Sequence, residues 1–319
     1  MNNFLRYGLL NFNHEPVLLN ECIENLKIKS DGIYVDGTLG GAGHSLKIAE
    51  SLSEEGLLIG IDRDVYAIES AQRKLESFSN VEYVNNNHDN IKEVLNELQI
   101  DEVHGILLDL GVSSYQLDEK TRGFSYMKEA GLDMRMDQNQ ELTAKVVVNK
   151  YSEEELARII YEYGEEKFSR QIAKNICRYR QEKQVETTSQ LVEIIEKSIP
   201  GFSKAKGGHP AKRTFQAIRI EVNNEIEPLY DTIVDSINCL KTGGRLCVIT
   251  FHSLEDRAVK KAYKDLAEIC VCSKELPYCV CNKKPVGTII TKKPILPSTD
   301  EMQRNSRSKS AKLRVFEKI

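Results

Sequence analysis

No stretch of the chain approaches the eighteen or so consecutive apolar residues that a membrane-crossing helix requires. Around Arg6 the first residues hold only Phe4, Leu5, Leu9 and Leu10, with neither a sustained apolar core nor a small-residue cleavage site. A cytoplasmic location with no membrane partner is expected. The third glycine of a G-x-G-x-x-G fingerprint is also missing, because that position, counted from Gly41, is Leu46. This argues against NAD, whose pyrophosphate needs that close approach. The C-x2-C spacing usual for zinc is absent too. Of the eight cysteines, Cys22, Cys177, Cys239 and Cys247 lie scattered among apolar neighbours and read as small core residues. Cys270, Cys272, Cys279 and Cys281 form C-x-C-x6-C-x-C, turned back by Leu276-Pro277-Tyr278. Zinc, reduced thiols and a labile disulfide all remain open for this second set, and no metal is assigned to the reaction site.

Strong net charge is lacking as well: 44 Lys and Arg against 48 Asp and Glu leave −4. The balance is uneven, because Lys283 to Ile319 holds ten basic residues against three acids, +7, and the remainder carries −11. Interleaved Ser and Asn between Arg304 and Arg314 suit either phosphate contacts or a solvated face. With 319 residues, 40% of them hydrophobic, the chain can bury a large core and is long enough for two domains.

What is present is a short apolar strand, Ile33-Tyr34-Val35-Asp36, running into a turn that holds Gly40, Gly41 and Gly43. Glycines there permit φ > 0 and let a ligand approach the main chain, and a helix begins just after. One βα unit later Asp62 ends the run Leu57 to Ile61, where a carboxylate can accept from ribose hydroxyls. Asp36 puts negative charge where a dinucleotide would bring phosphates but where S-adenosylmethionine (SAM) would bring an ammonium and a sulfonium. The cofactor predicted from these residues is therefore SAM.

The alternation continues. Pro16 stands in the first turn of an expected helix over Glu15 to Leu26, which would cover the cofactor mouth. A helix over Val65 to Leu75 precedes the strand Val81 to Val84, whose polar end carries His88 and Asp89; either can reach an adenine edge or cap a helix, and capping is the role favoured for Asp89. Gly105 to Gly111 delivers Asp109 to the same edge of the sheet. From Val112 to Asp137 no strand pattern appears, as in a lid or substrate loop. Leu142 to Ile199 reads as helical, opened by the capping box Ser152/Glu155, and its exit Lys204 to Arg213 is basic and glycine-rich. Thr214 to Leu240 reads as one long helix interrupted by Pro228; Gly244 to Phe251 is a fifth strand, and Ser253 is the expected N-cap of the helix after it. Residues around Thr288 to Ile290 and Lys312 to Phe316 supply the last two strands. The sheet is thus split into residues 1–137 and 214–319 by a helical insertion over 138–213.

Several of these stretches together resemble the small-subunit ribosomal RNA methyltransferase H family. They are His14 to Leu19, Asp36-Gly37-Thr38 through His44, Ile61 to Asp64, Leu107 to Ser114 through Asp118, Arg122 to Ser125, Leu132 to Met136, Thr214 to Ala217 with Ile220 and Asn223, and Phe251 to Arg257. Near the C-terminus the chain departs from the family pattern, with Ser306 in place of a proline and Lys309 in place of an arginine. The resemblance implies a Rossmann-like, class I SAM-dependent α/β methyltransferase sheet with an inserted helical domain. The implied activity is methylation of the exocyclic N4 of a cytidine in the decoding region of 16S ribosomal RNA. Naked RNA and the assembled 30S subunit both stay open as substrate, as do monomer and homodimer. Carried over by position, cofactor contacts fall on Ala42, Gly43, His44, Asp62, His88, Asp109 and Gln116, joined by Asp36 and Gly40 from the turn. Asp109 is the first candidate to accept from N4, with Ser113, Ser114 and His252 near it, and Phe124, Tyr115 or Phe251 would stack the base.

Overall fold

The computed structural model describes residues 16–201, 208–270, 272, 278 and 280–319. Its centre is a seven-stranded sheet in the order β3-β2-β1-β4-β5-β7-β6. The strands are β1 (Ile33–Asp36), β2 (Leu57–Asp62), β3 (Val81–Asn85), β4 (Val103–Asp109), β5 (Leu240–Thr250), β6 (Gly287–Ile289) and β7 (Lys312–Lys318). The first five run parallel, whereas β7 is antiparallel to both β5 and β6. Alternation of side chains sends Val35, Ile59, Ile106, Leu108 and Val248 to one face and Tyr34, Leu58, Leu107, Cys247 and Ile249 to the other. Two apolar layers result, as in any sheet covered on both faces.

The first face is covered by α4 (Ile91–Glu97), α11 (Leu229–Asn238) and α12 (Ser253–Ala267); the second by α1 (Leu19–Leu26), α2 (Gly43–Ala49) and α3 (Val65–Lys74). The opening helix starts at Leu19, because Leu18 is left-handed at φ 54°. The Leu18 amide donates to Glu301 Oε1 at 2.9 Å, across 283 residues, and Arg245 Nη1 donates to the Asn25 carbonyl. Both ends of the described chain are therefore stitched to the same flank of the sheet.

A third apolar cluster runs from Phe124 to Val222. It is built by α6 (Ala144–Lys150), α7 (Glu153–Glu162), α8 (Ser169–Glu182), α9 (Thr188–Ser198) and α10 (Lys212–Asn223), with the loop residues Phe124, Leu132, Met134 and Met136. The capping box expected at Ser152 and Glu155 is present. The predicted long helix over Thr214 to Leu240 is instead two: α10 ends where Asn224 turns left-handed at φ 49°, and Pro228 opens α11. The lid-like stretch also contains a short helix, α5 (Ser114–Asp118). Among the described residues no helix is long and apolar enough to cross a membrane.

Candidate active site

The C-terminal ends of β1, β2, β3, β4 and β5 open onto one crevice, the usual ligand position in an open α/β sheet. Asp36 ends β1 fully buried, accepting from the Thr38 amide at 3.1 Å and from Ser45 Oγ at 2.6 Å. Thr38 Oγ1 in turn accepts from the Asp109 amide at 2.6 Å, tying the ends of β1 and β4 together. The glycine turn is held by Asp62, whose Oδ2 accepts from the Gly40 amide at 2.8 Å and whose Oδ1 accepts from the Asp64 amide at 2.9 Å. Burial pushes the Asp62 carboxyl up to about 6. Gly40 is left-handed at φ +47°, and Gly41 faces open space where a Cβ would meet nothing within 4 Å. Gly43 has a different duty: a Cβ there would fall 2.2 Å from Pro16 Cγ, so its bareness admits the opening segment. Ala42 beside it is fully buried and left-handed at φ 51°.

Asp109 is the chemically open group. Its Oδ1 is shielded from solvent and meets no hydrogen-bond partner, while Oδ2 lies 3.9 Å from His44 Nδ1. Burial, with the charges of Asp36 and Glu255, pushes its carboxyl well above the usual carboxylate range. His44 Nε2 contacts the Val17 carbonyl at 3.0 Å; a carbonyl only accepts, so this nitrogen carries a hydrogen. Burial lowers the His44 imidazole, which leaves Nδ1 as a lone pair beside Asp109. His88, also lowered by burial, lies against Gly37. Asp89 does not cap a helix as predicted; it accepts from Thr232 Oγ1 at 2.8 Å and from Asn87 Nδ2 at 2.6 Å, which leaves Asn87 Oδ1 buried and unpartnered.

On the β5 side the cap is His252, one residue before the predicted Ser253. Its ring accepts from the Glu255 amide, and Glu255 Oε2 accepts from the amides of Phe251 at 2.6 Å and His252 at 3.2 Å. Burial raises the Glu255 carboxyl, but the His252 ring and the Arg219 charge outweigh it and hold the group below its ordinary value. Arg219 forks onto Glu225 at 2.9 and 2.7 Å, and Glu225, His252 and Glu255 each bring a ligand-type atom within 4.8 Å of the others. Ser253 Oγ is free of capping and donates to Glu165 Oε2, while Glu165 Oε1 accepts from Arg257 Nη2, latching the helical region to the start of α12.

Between the two sides runs the loop after β4. Gly111, at φ +98°, passes beside Phe251, and Ser113 passes beside Gly40. Ser113 caps α5, its Oγ accepting from the Gln116 amide at 3.2 Å. Gln116 stands behind the crevice: its Oε1 accepts from the Ser113 amide and its Nε2 donates to Asp64 Oδ2. Asp64 also pairs with Arg122 at 2.8 Å, and Arg122 Nη2 donates to the carbonyls of Arg135 and Met136. Asn223 completes this network, accepting from the Met136 amide and donating to the Met134 carbonyl. Of the predicted stacking aromatics, Phe124 is 6% exposed inside the helical core and unable to present a face, which corrects that expectation. Tyr115 instead pairs with half-exposed Tyr66, a residue the sequence did not single out, at 6.2 Å.

Five of the ten basic residues of the tail form ion pairs within the fold. Arg314 and Lys312 pair with Asp256, Arg307 with Asp118, Lys318 with Glu102 and Lys283 with Glu268. In the exit of the helical region Arg213 donates to the Glu165 carbonyl and His209 stacks on Tyr126 at 4.6 Å. Lys204 and Lys206 lie outside the described residues.

The crevice fits SAM in its chemistry: a glycine turn open to a ligand at Gly41, with the carboxyls of Asp36, Asp62 and Asp109 at neighbouring strand ends to meet a cationic cofactor. The fold and this site define a SAM-dependent methyltransferase of the Rossmann-like class. The MraW methylase family matches residues 11–319, and the chain belongs to it. A relative from Clostridioides difficile (strain 630), named ribosomal RNA small subunit methyltransferase H, is 55% identical over 311 residues, covering 97% of this chain and all of its own. One of the same name from Clostridium botulinum (strain Kyoto / Type A2) is 58% identical over 310 residues, again covering 97% of this chain and 100% of its own.

Asp62→Ala is expected to weaken SAM binding by about 1.5 to 3 kcal/mol, the worth of charge-assisted bonds to ribose hydroxyls plus the loss of the Gly40 anchor. Because the ionised carboxylate is the better acceptor, wild-type affinity should also decline as pH falls through about 6. Calorimetry giving the same affinity for the folded variant would remove Asp62 from the cofactor site.

Proposed function

We propose that this methyltransferase acts on small-subunit ribosomal RNA in the cytoplasm and methylates the exocyclic N4 of a cytidine in the decoding region. The names of its relatives support the RNA. The observation that carries the target atom is the Asp109 carboxyl at the end of β4, a side chain that keeps 26% of its surface exposed beside His44. The N4 lone pair is conjugated into the cytosine ring and is a poor nucleophile. SAM supplies an already activated methyl group, so positioning dominates the work left to the protein. The Asp109 carboxylate accepts from one N4–H, turns the lone pair toward the methyl carbon and stabilises the charge that develops on nitrogen. Ser113 and His252, on the loop after β4 and the turn after β5, border that position and can take part in carrying the proton away.

In this reading Asp36, Gly40, Ala42, Gly43, His44, Asp62 and His88 form the cofactor walls, and Gln116 acts through Asp64 and the α5 cap. The target base leaves its stack and rests on Phe251 or on the Tyr66–Tyr115 pair. The helical region, read as 138–213 between two methyltransferase parts, recognises RNA, since the crevice is built almost wholly outside it. The deciding measurement is nucleoside mass spectrometry of small-subunit RNA, naked or within 30S subunits, treated with the protein and methyl-labelled SAM. The expected product is N4-methylated cytidine; label on C5, on a 2′-oxygen or on another base would overturn the assignment.

A further inference from the structure

The connection from α12 to edge strand β6 brings three thiols together far from the crevice. The Sγ atoms of Cys270, Cys272 and Cys281 all lie within 4.8 Å of one another, and those of Cys270 and Cys281 are 3.9 Å apart. Four sulfurs around a zinc ion, with Zn–S bonds of about 2.3 Å, stand about 3.8 Å from each other. Backbone amides point at two of the sulfurs: Cys272 N donates to Cys270 Sγ at 3.4 Å, and Val280 N donates to Cys272 Sγ at 3.3 Å. Amide hydrogens directed at the ligand sulfurs are a common support of metal–thiolate sites. Apolar packing does not hold this loop, since Ile269, Tyr278 and Val280 are 69%, 73% and 59% exposed. A segment without a core of its own is where a structural metal is most useful.

We infer that Cys270, Cys272 and Cys281 form a structural zinc site that staples the end of α12 to β6. Cys279, the remaining member of the C-x-C-x6-C-x-C run, lies outside the described residues. From Ser253 the site lies the length of α12 away, about 22 Å at the rise of an α-helix, so it takes no part in methyl transfer. What the metal supplies is order in the loop that delivers β6 to β7.

The full chain, purified under reducing conditions without chelator, should carry about one equivalent of zinc by elemental analysis. After removal of that metal, titration with Co²⁺ should give the intense visible and near-ultraviolet bands of a tetrahedral thiolate site, saturating at about one equivalent and erased by Zn²⁺. Cys272→Ser should lose the metal, whereas Cys177→Ser, on α8, should keep it. SAM binding, measured in parallel, reports that each protein is folded. Wild-type protein that binds SAM but takes up neither zinc nor Co²⁺ would overturn the proposal, as would iron with labile sulfide in place of zinc. The Co²⁺ titration uses the wild-type chain, so the proposal stays testable if the variants fail to fold.

Discussion

Asp109→Asn is expected to lower the single-turnover rate of methyl transfer, at saturating SAM and RNA, by at least about a hundredfold. The substitution keeps the shape and one acceptor oxygen but removes the charge that would stabilise a developing cation on nitrogen. If Asp109 instead only holds the cofactor, SAM affinity should weaken while the saturated single-turnover rate stays near wild type. Rapid quench of the saturated complex separates the two, and a normal rate there would remove Asp109 from the catalytic list. The pH dependence gives a second reading. Burial and the neighbouring charges of Asp36 and Glu255 raise the Asp109 carboxyl, and the acceptor must be ionised. The wild-type rate should therefore rise with pH through a value above the ordinary carboxylate range and fall below it. That limb should vanish in the Asn variant.

Arg122→Ala is expected to destabilise the fold by about 3 to 5 kcal/mol, seen as a lower denaturant midpoint with little change in slope. Both side chains of the Arg122–Asp64 pair are 3% exposed at 2.8 Å, so the variant strands a buried carboxylate. It also removes the donor to the carbonyls of Arg135 and Met136. Asp64→Ala combined with Arg122→Ala should cost less than the sum of the single changes, because neither charge is then left alone. Should the single variant lose under about 1 kcal/mol, the pair would have to be solvated like a surface bridge.

What the sequence disclosed best was local. The glycine turn, the strand-end acids Asp36, Asp62 and Asp109, and the Ser152 capping box are each set by neighbours within a few positions, and periodicity marked the strands that carry them. What it hid depends on distant partners. Nothing near Arg122 says that its guanidinium will meet Asp64, 58 residues earlier, or that Phe124 will turn into the helical core rather than toward a base. The basic tail looked available because its acids are remote: Arg307 meets Asp118 across 189 residues. His252 displaced Ser253 as the cap because Ser253 is drawn to Glu165, within the insertion and 88 residues earlier. The break at Asn224 was missed because left-handed asparagine is a choice of backbone that composition alone does not announce.

The placement of β7 between β5 and β6 has a consequence for the order of folding. Strands β1 to β4 can pair as they emerge, but β5 follows the entire helical region, and its second edge stays open until residues 312–318 have left the ribosome. Leu18 likewise waits for Glu301 across nearly the whole length of the chain. Contacts of such sequence separation are slow to form, because a long loop must close before any of them is rewarded. During synthesis the protein therefore carries one open edge of β5 until β7 emerges, and chaperone dependence should track the delay between β5 and β7 rather than the chain's overall hydrophobicity.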